Sequence, residues 1–326
     1  MNELYPMKFV PRFKEKIWGG DRMKTVLGMN FSPLKNCGEA WIISGVPGSE
    51  TIVSNGFLRG NELNELVEVY MEDLVGEAAF DTYGNEFPLL VKFIDSNDSL
   101  SIQVHPDDAL AARRGLGNGK SEMWYILEAD PGSEIISGFN RKMDVKTYLE
   151  FLEKNRLTDI LNKEKAKKGD VFFIPAGRIH ALGPGILLAE IQQTSDTTYR
   201  IYDWDRVDDE GKSRELHLDL ALEAIDFATP DSYRTPYKNV LNKTTSLVSC
   251  PQFSTQILAI DKPLRKDYSE LDSFVIYVCV EGSLRVECGA SPETLRKGEC
   301  LLIPAITAEI VLVPSEECRI LETFVS

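Results

Sequence analysis

Histidine is scarce in this chain, with three among 326 residues, and cysteine never occurs at metal or redox spacing. Cys37 stands alone, and Cys250, Cys279, Cys288, Cys300 and Cys318 contain no CxxC pair, which argues against a cysteine metal site or a disulfide framework and for free thiols in a reducing compartment. Long apolar runs are missing too. No stretch approaches the roughly 20 residues of a membrane span, and the N-terminal MNELYPMKFVPRFKEKIWGG lacks the apolar centre of a secretory signal, so a cytoplasmic protein is expected. Positive charge is in deficit: 36 Lys and Arg stand against 51 Asp and Glu, a net charge of −15. A field of that sign repels nucleic acid and anionic membranes, and an anionic substrate would need local cations to overcome it.

What is present describes a soluble globular protein, 43% apolar and 27% charged, long enough for two hydrophobic cores. Helical spacing runs from Leu58 to Val75, Ala109 to Arg114 and Val145 to Leu161, with a further helical stretch around Arg214 to Phe227. These read as packing elements around a core written in short β-type runs: 88–95, 99–105, 122–129, 170–175 and 185–193. Many short strands punctuated by Gly, Pro and Asp predict a sandwich or barrel. A second β-rich block begins near residue 245, which divides the chain into 1–240 and 241–326.

The two blocks share a phrase. KKGDVFFIPAGRIHA aligns with RKGECLLIPAITAEI, so that Gly169 and Pro175 match Gly298 and Pro304 at equal spacing, while Ile306 and Glu309 stand opposite Gly177 and His180. Duplication of one β-barrel unit follows, with a histidine kept only in the first copy.

In an extended SIQVH, alternate residues share a face, so Ser101, Gln103 and His105 point one way while Ile102 and Val104 pack the other. Glu122 opens the strand-like EMWYIL, and His180 ends GDVFFIPAGRIH. Two imidazoles, a carboxylate and the amide oxygen of Gln103 form a nitrogen and oxygen ligand set best suited to Zn²⁺, with Fe²⁺, Mn²⁺ or Co²⁺ as substitutes. His217, inside the helix-like RELHLDLALEAI, reads as a structural bystander.

The pattern GxxxxxPxGxxH from Gly169 to His180 matches a cupin superfamily motif at every specified position. Together LSIQVHPDD, GKSEMWYIL, GRIHAL and EIQQTSDTTYRIYDWDR resemble the type I mannose-6-phosphate isomerases, particularly the shorter bacterial form, from Trp18 through GEAW to Arg206. The resemblance implies a mainly β fold of two cupin-like jelly-roll barrels, with helices packed around the N-terminal catalytic one. It also implies one zinc per chain on Gln103, His105, Glu122 and His180, and a hexose 6-phosphate substrate held near Lys120 and Arg200. Longer family members insert a helical domain before the second metal histidine. This chain has only short helices there, which bears on how the pocket rim grips phosphate.

Aldose to ketose isomerisation moves a proton between carbons 2 and 1 through an enediolate. Arg200 supplies a permanent charge for the enediolate or the phosphate. Lys120 and Glu190 are joint candidates for proton transfer. Ser101, Trp18 and Asp196 join Lys120 and Arg200 as substrate-binding candidates, with Trp124 a further aromatic for the sugar pocket or the core. Two alternatives stay open: a metal-dependent cupin oxygenase, in which Lys120 and Arg200 have no obvious task, and a sugar-phosphate-binding protein without turnover. A monomer or weak homo-oligomer is expected.

Overall fold

A computed structural model describes residues 4–207, 210–289 and 292–325. Its strands form two pairs of large antiparallel sheets and one small two-stranded sheet. Up to residue 202, a six-stranded sheet runs in the order Val171–Ile174, Glu122–Ala129, Ile186–Gln193, Leu89–Ser96, Glu39–Ile43, Arg12–Lys14. A five-stranded sheet runs Tyr199–Tyr202, Ile102–Val104, His180–Leu182, Glu134–Phe139, Leu161–Lys165. One cluster is lined from both: Ile94, Trp124, Ile126, Ile186 and Leu188 come from the first, Ile135 and Leu182 from the second. This is a jelly-roll barrel with a filled interior.

The second half repeats it. A five-stranded sheet in the order Cys300–Ile303, Val275–Glu281, Cys318–Phe324, Ser254–Ile260, Thr244–Ser249 encloses a shared core with the four-stranded sheet Leu264–Asp267, Glu309–Pro314, Ser283–Glu287, Glu293–Arg296. The repeated phrase occupies the same place in each copy, the outer strand of the larger sheet, and enters it through Gly169 (φ +85°) and Gly298 (φ +86°). In register, Ile174 pairs with Glu122 and Ile303 with Val275. The second copy therefore carries valine where the first has its carboxylate, and Glu309 opens the strand that His180 opens in the first.

The largest apolar cluster lies between the halves. It joins Phe93, Met123, Tyr125 and Leu187 to Ile257, Ile276, Leu302 and Leu321. Strand Ile186–Gln193 is thus buried on both faces, which explains why GILLAEIQQ reads as an almost continuous apolar run.

Three helical expectations shift. The helix expected from Leu58 begins at Leu63, after reciprocal Glu62 and Glu65 capping, and Glu77–Tyr83 adds another. The helix expected to span Val145 to Leu161 stops at Glu153: Asn155 turns to φ +54°, a short 3₁₀ turn covers Leu157–Ile160, and Leu161 starts a strand. Asparagine tolerates that left-handed backbone, and Tyr148, Leu157 and Ile160 still reach one core. The stretch expected around Arg214 to Phe227 is helical only over Leu218–Ala224.

Helix Glu77–Tyr83 is capped from the other half. Asp272 accepts from Glu77 N–H at 2.7 Å and Ala78 N–H at 3.0 Å. A Cβ on the preceding Gly76, already at φ +91°, would lie 2.6 Å from the Asp272 carbonyl. Asp272→Ala is expected to cost about 1 kcal/mol of stability, read as a shift in urea midpoint at constant m-value.

Candidate metal centre and substrate pocket

His105, Glu122 and His180 converge inside the first barrel, their ligating atoms all within 4.8 Å of one another and the three residues fully buried. The strand pattern places them. Ile102 and Val104 face the helix-covered core, leaving Ser101 and Gln103 on the inner wall, and His180 pairs directly with Gln103.

Main-chain carbonyls orient both imidazoles. His105 Nδ1 donates to Thr197 O at 3.0 Å and His180 Nδ1 to Arg178 O at 2.8 Å, so each Nε2 turns an unprotonated lone pair inward. There they meet Lys120 Nζ at 3.1 Å and the Gln103 amide at 3.2 Å, and Glu122 at 3.5 and 3.3 Å. Burial keeps His105 neutral well below the usual histidine range and lowers His180 to about 4. Burial, with the charge of Glu190, pushes Glu122 up to about 7 against the pull of Lys120, whose Nζ stands 3.2 Å from Oε2, and Oε1 accepts no hydrogen bond among the described residues. Two neutral imidazoles and a buried carboxylate with an oxygen left over fit a divalent cation, and rotation of the Gln103 amide presents its oxygen as a fourth donor.

The centre adjoins a cavity of about 260 Å³. Ser101, Gln103, Lys120, Trp18, Trp124, Glu190, Asp196 and Arg200, all singled out from the sequence, line it. Glu190 accepts from Trp124 Nε1 at 2.9 Å and meets Lys92 Nζ at 3.0 Å. Burial opposes its ionisation, but Lys92 and Lys120 prevail and lower it. Asp196 sits at the exposed rim.

Sequence reasoning missed Lys16, Glu39, Lys92 and Arg214 on the same wall, and did not place His217 there. His217 is not inside the helix: it stands at its N-cap and lines the pocket, its backbone and ring both bonded to the Arg200 backbone. Lys92 carried a readable signal, a lysine inside the apolar run LLVKFI, which burial allows only with a partner. Glu39 lies in GEAW. Burial opposes its charge, but Lys92 and Lys16 with the Trp41 indole hold it down at about 2. Arg214 had none, since only folding brings it to Arg200.

Charge is unevenly spread over this wall. Lys16 and Lys92 are matched by Glu39 and Glu190, whereas Arg200, Arg206 and Arg214 crowd one buried carboxylate. Asp203 accepts from Arg206 Nη2 at 2.6 Å and Arg214 Nε at 2.7 Å, but not from Arg200. Burial, then Arg214, lowers the pKa of Arg200, whose Nε is buried without a partner among the described residues. Two further carboxylates stand beside these three guanidinium groups: Asp98, 3.7 Å from Arg206, and the more exposed Glu215 near Arg200.

Residues 7–133 match the family model for the phosphomannose isomerase type I catalytic domain. The chain is similar to mannose-6-phosphate isomerase of Streptococcus mutans, 34% identical over 96% of this chain and 99% of that one. It is likewise similar to mannose-6-phosphate isomerase ManA of Bacillus subtilis, 36% identical over 96% and 97%. A crystal structure of the mannose 6-phosphate isomerase from Bacillus subtilis superposes with a TM-score of 0.87 at 32% identity, covering 98% of this chain and 99% of that one. Phosphomannose isomerase from Salmonella typhimurium, at 15% identity and TM-score 0.78, shares the fold. With similarity running through nearly the whole length of both bacterial relatives, the chain belongs to the type I phosphomannose isomerase family.

Proposed function

We propose that this enzyme interconverts mannose 6-phosphate and fructose 6-phosphate in the cytoplasm, with one zinc ion on His105, Glu122, His180 and Gln103. The observation that carries the reading is the buried two-imidazole, one-carboxylate cluster opening onto a cavity lined by Lys120, Arg200 and Arg214. A metal held there would polarise the sugar carbonyl as a Lewis acid, close to the oxygens on carbons 1 and 2.

The chain's own residues do the rest. Lys120 stands 3.2 Å from Glu122 Oε2 and 3.1 Å from His105 Nε2, beside the place of those sugar oxygens, and passes protons to and from them. Glu190, held ionised by Lys92, takes the proton from carbon and returns it to the neighbouring carbon. Arg200 and Arg214 face the anionic end of the substrate, Arg200 also stabilising charge as the enediolate forms. Ser101 donates to the sugar phosphate, Trp18 forms the apolar wall, and Asp196 orients hydroxyls at the rim. Residues 1–240 form the catalytic unit and 241–326 a metal-free unit that supports it.

A coupled assay of mannose 6-phosphate conversion, with and without chelator, tests the reading; absence of conversion by the metal-loaded protein would reject it. Arg200→Ala is expected to lower kcat about 10²-fold. Near-normal turnover in that variant would remove Arg200 from the chemistry.

A further inference from the structure

Arg200 lies on Tyr199–Tyr202, the outer strand of its sheet, so one backbone edge there has no neighbouring strand. At this residue His217 takes the place of a strand. Arg200 N–H donates to His217 Nδ1 at 3.1 Å, and His217 N–H donates to the Arg200 carbonyl at 2.7 Å. The Arg200 side chain is tied to the same segment, Nη1 donating to Glu215 O at 2.9 Å.

The first of these bonds fixes the imidazole. A backbone amide only donates, so Nδ1 is the acceptor and the ring proton belongs on Nε2. That nitrogen has no hydrogen-bond partner among the described residues; the Glu215 carboxylate, on a largely exposed side chain, is 4.0 Å away. The ring lines the same cavity as Arg200 and Arg214. One wall thus holds an imidazole N–H without a partner, the partnerless Nε of Arg200, and the Arg214 fork anchored on Asp203.

The geometry points to His217 as a substrate-binding residue, whose Nε2–H donates to the phosphate group of the sugar phosphate alongside Arg200 and Arg214. The identity of the ligand rests on the isomerase reading above. The donor role does not need turnover to be measured.

The test is calorimetric titration with inorganic phosphate, and separately with fructose 6-phosphate, of wild type, His217→Asn and His217→Gln. Asparagine places an amide oxygen where Nδ1 sits, so the Arg200 amide stays satisfied while the outer donor is lost. Glutamine reaches the Nε2 position with an N–H. A hydrogen bond to a charged group predicts about tenfold or more weaker phosphate binding by His217→Asn, partial recovery in His217→Gln, and a KM for the sugar phosphate that rises by more than kcat falls. Wild-type phosphate affinity in His217→Asn overturns the assignment, as does a fall in kcat with affinity unchanged, the mark of a residue that only holds Arg200. Wild-type protein that binds no phosphate also overturns it. Phosphate binding that follows the predicted order in a protein without isomerase activity would reject the isomerase reading and leave the His217 site standing.

Discussion

Metal-depleted protein, and His180→Ala, are expected to isomerise mannose 6-phosphate at least about 10³-fold more slowly than the zinc-loaded wild type, because carbonyl polarisation by a metal ion is worth several kcal/mol. The paired measurement is metal content by atomic absorption, which should be near one per chain in the wild type and greatly reduced in His180→Ala. Full activity in verified metal-free protein would sink the proposal. The site also sets the pH dependence of loading. Both imidazoles are already neutral, with His180 lowered to about 4, so protons compete with the metal chiefly at Glu122, raised to about 7. Binding requires the carboxylate, so apparent affinity should be near its plateau above pH 7 and fall about tenfold per unit below it. Chelator competition between pH 5 and 8 measures this, and an affinity flat down to pH 5 would contradict the raised Glu122.

Glu190→Gln is expected to reduce kcat about 10³-fold, within the range for loss of a positioned general base, with a much smaller change in KM. Glutamine keeps the size of the side chain and an oxygen for Trp124 or Lys92, so loss of charge rather than collapse of packing is being read. The swap also leaves the buried Lys92 without its carboxylate 3.0 Å away, and some loss of stability should accompany it. Thermal unfolding separates the two effects, since the rate is compared well below the variant's own midpoint. A variant that folds and retains wild-type kcat would assign Glu190 a structural role and leave proton transfer to Lys120.

Short-range pattern made the candidate metal ligands legible. Strand alternation in SIQVH sorted Gln103 and His105 from Ile102 and Val104, and the glycine and proline around Val171–Ile174 framed His180. The same local logic exposed the duplicated phrase, whose two copies occupy matching edge strands. It failed in two places, one set by local backbone and one by a distant segment. Asn155 ended a helix that apolar spacing alone would have continued, and His217 looked helical because its bonds to Arg200 are invisible in RELHLDL.

By itself the sequence determined which chemistry was affordable: few histidines, a nitrogen and oxygen ligand set, cations in an acidic chain, and two copies of one β unit. These are properties of residue type, alternation and spacing, which survive without coordinates. Only the tertiary structure decided how charge is matched. Folding brought Lys92 to Glu190 and Lys16 to Glu39, and drew Arg200, Arg206 and Arg214 around Asp203. Electrostatic energy depends on separation and burial rather than on order along the chain, so the pairing of charges around the pocket came into view only once the barrel had closed.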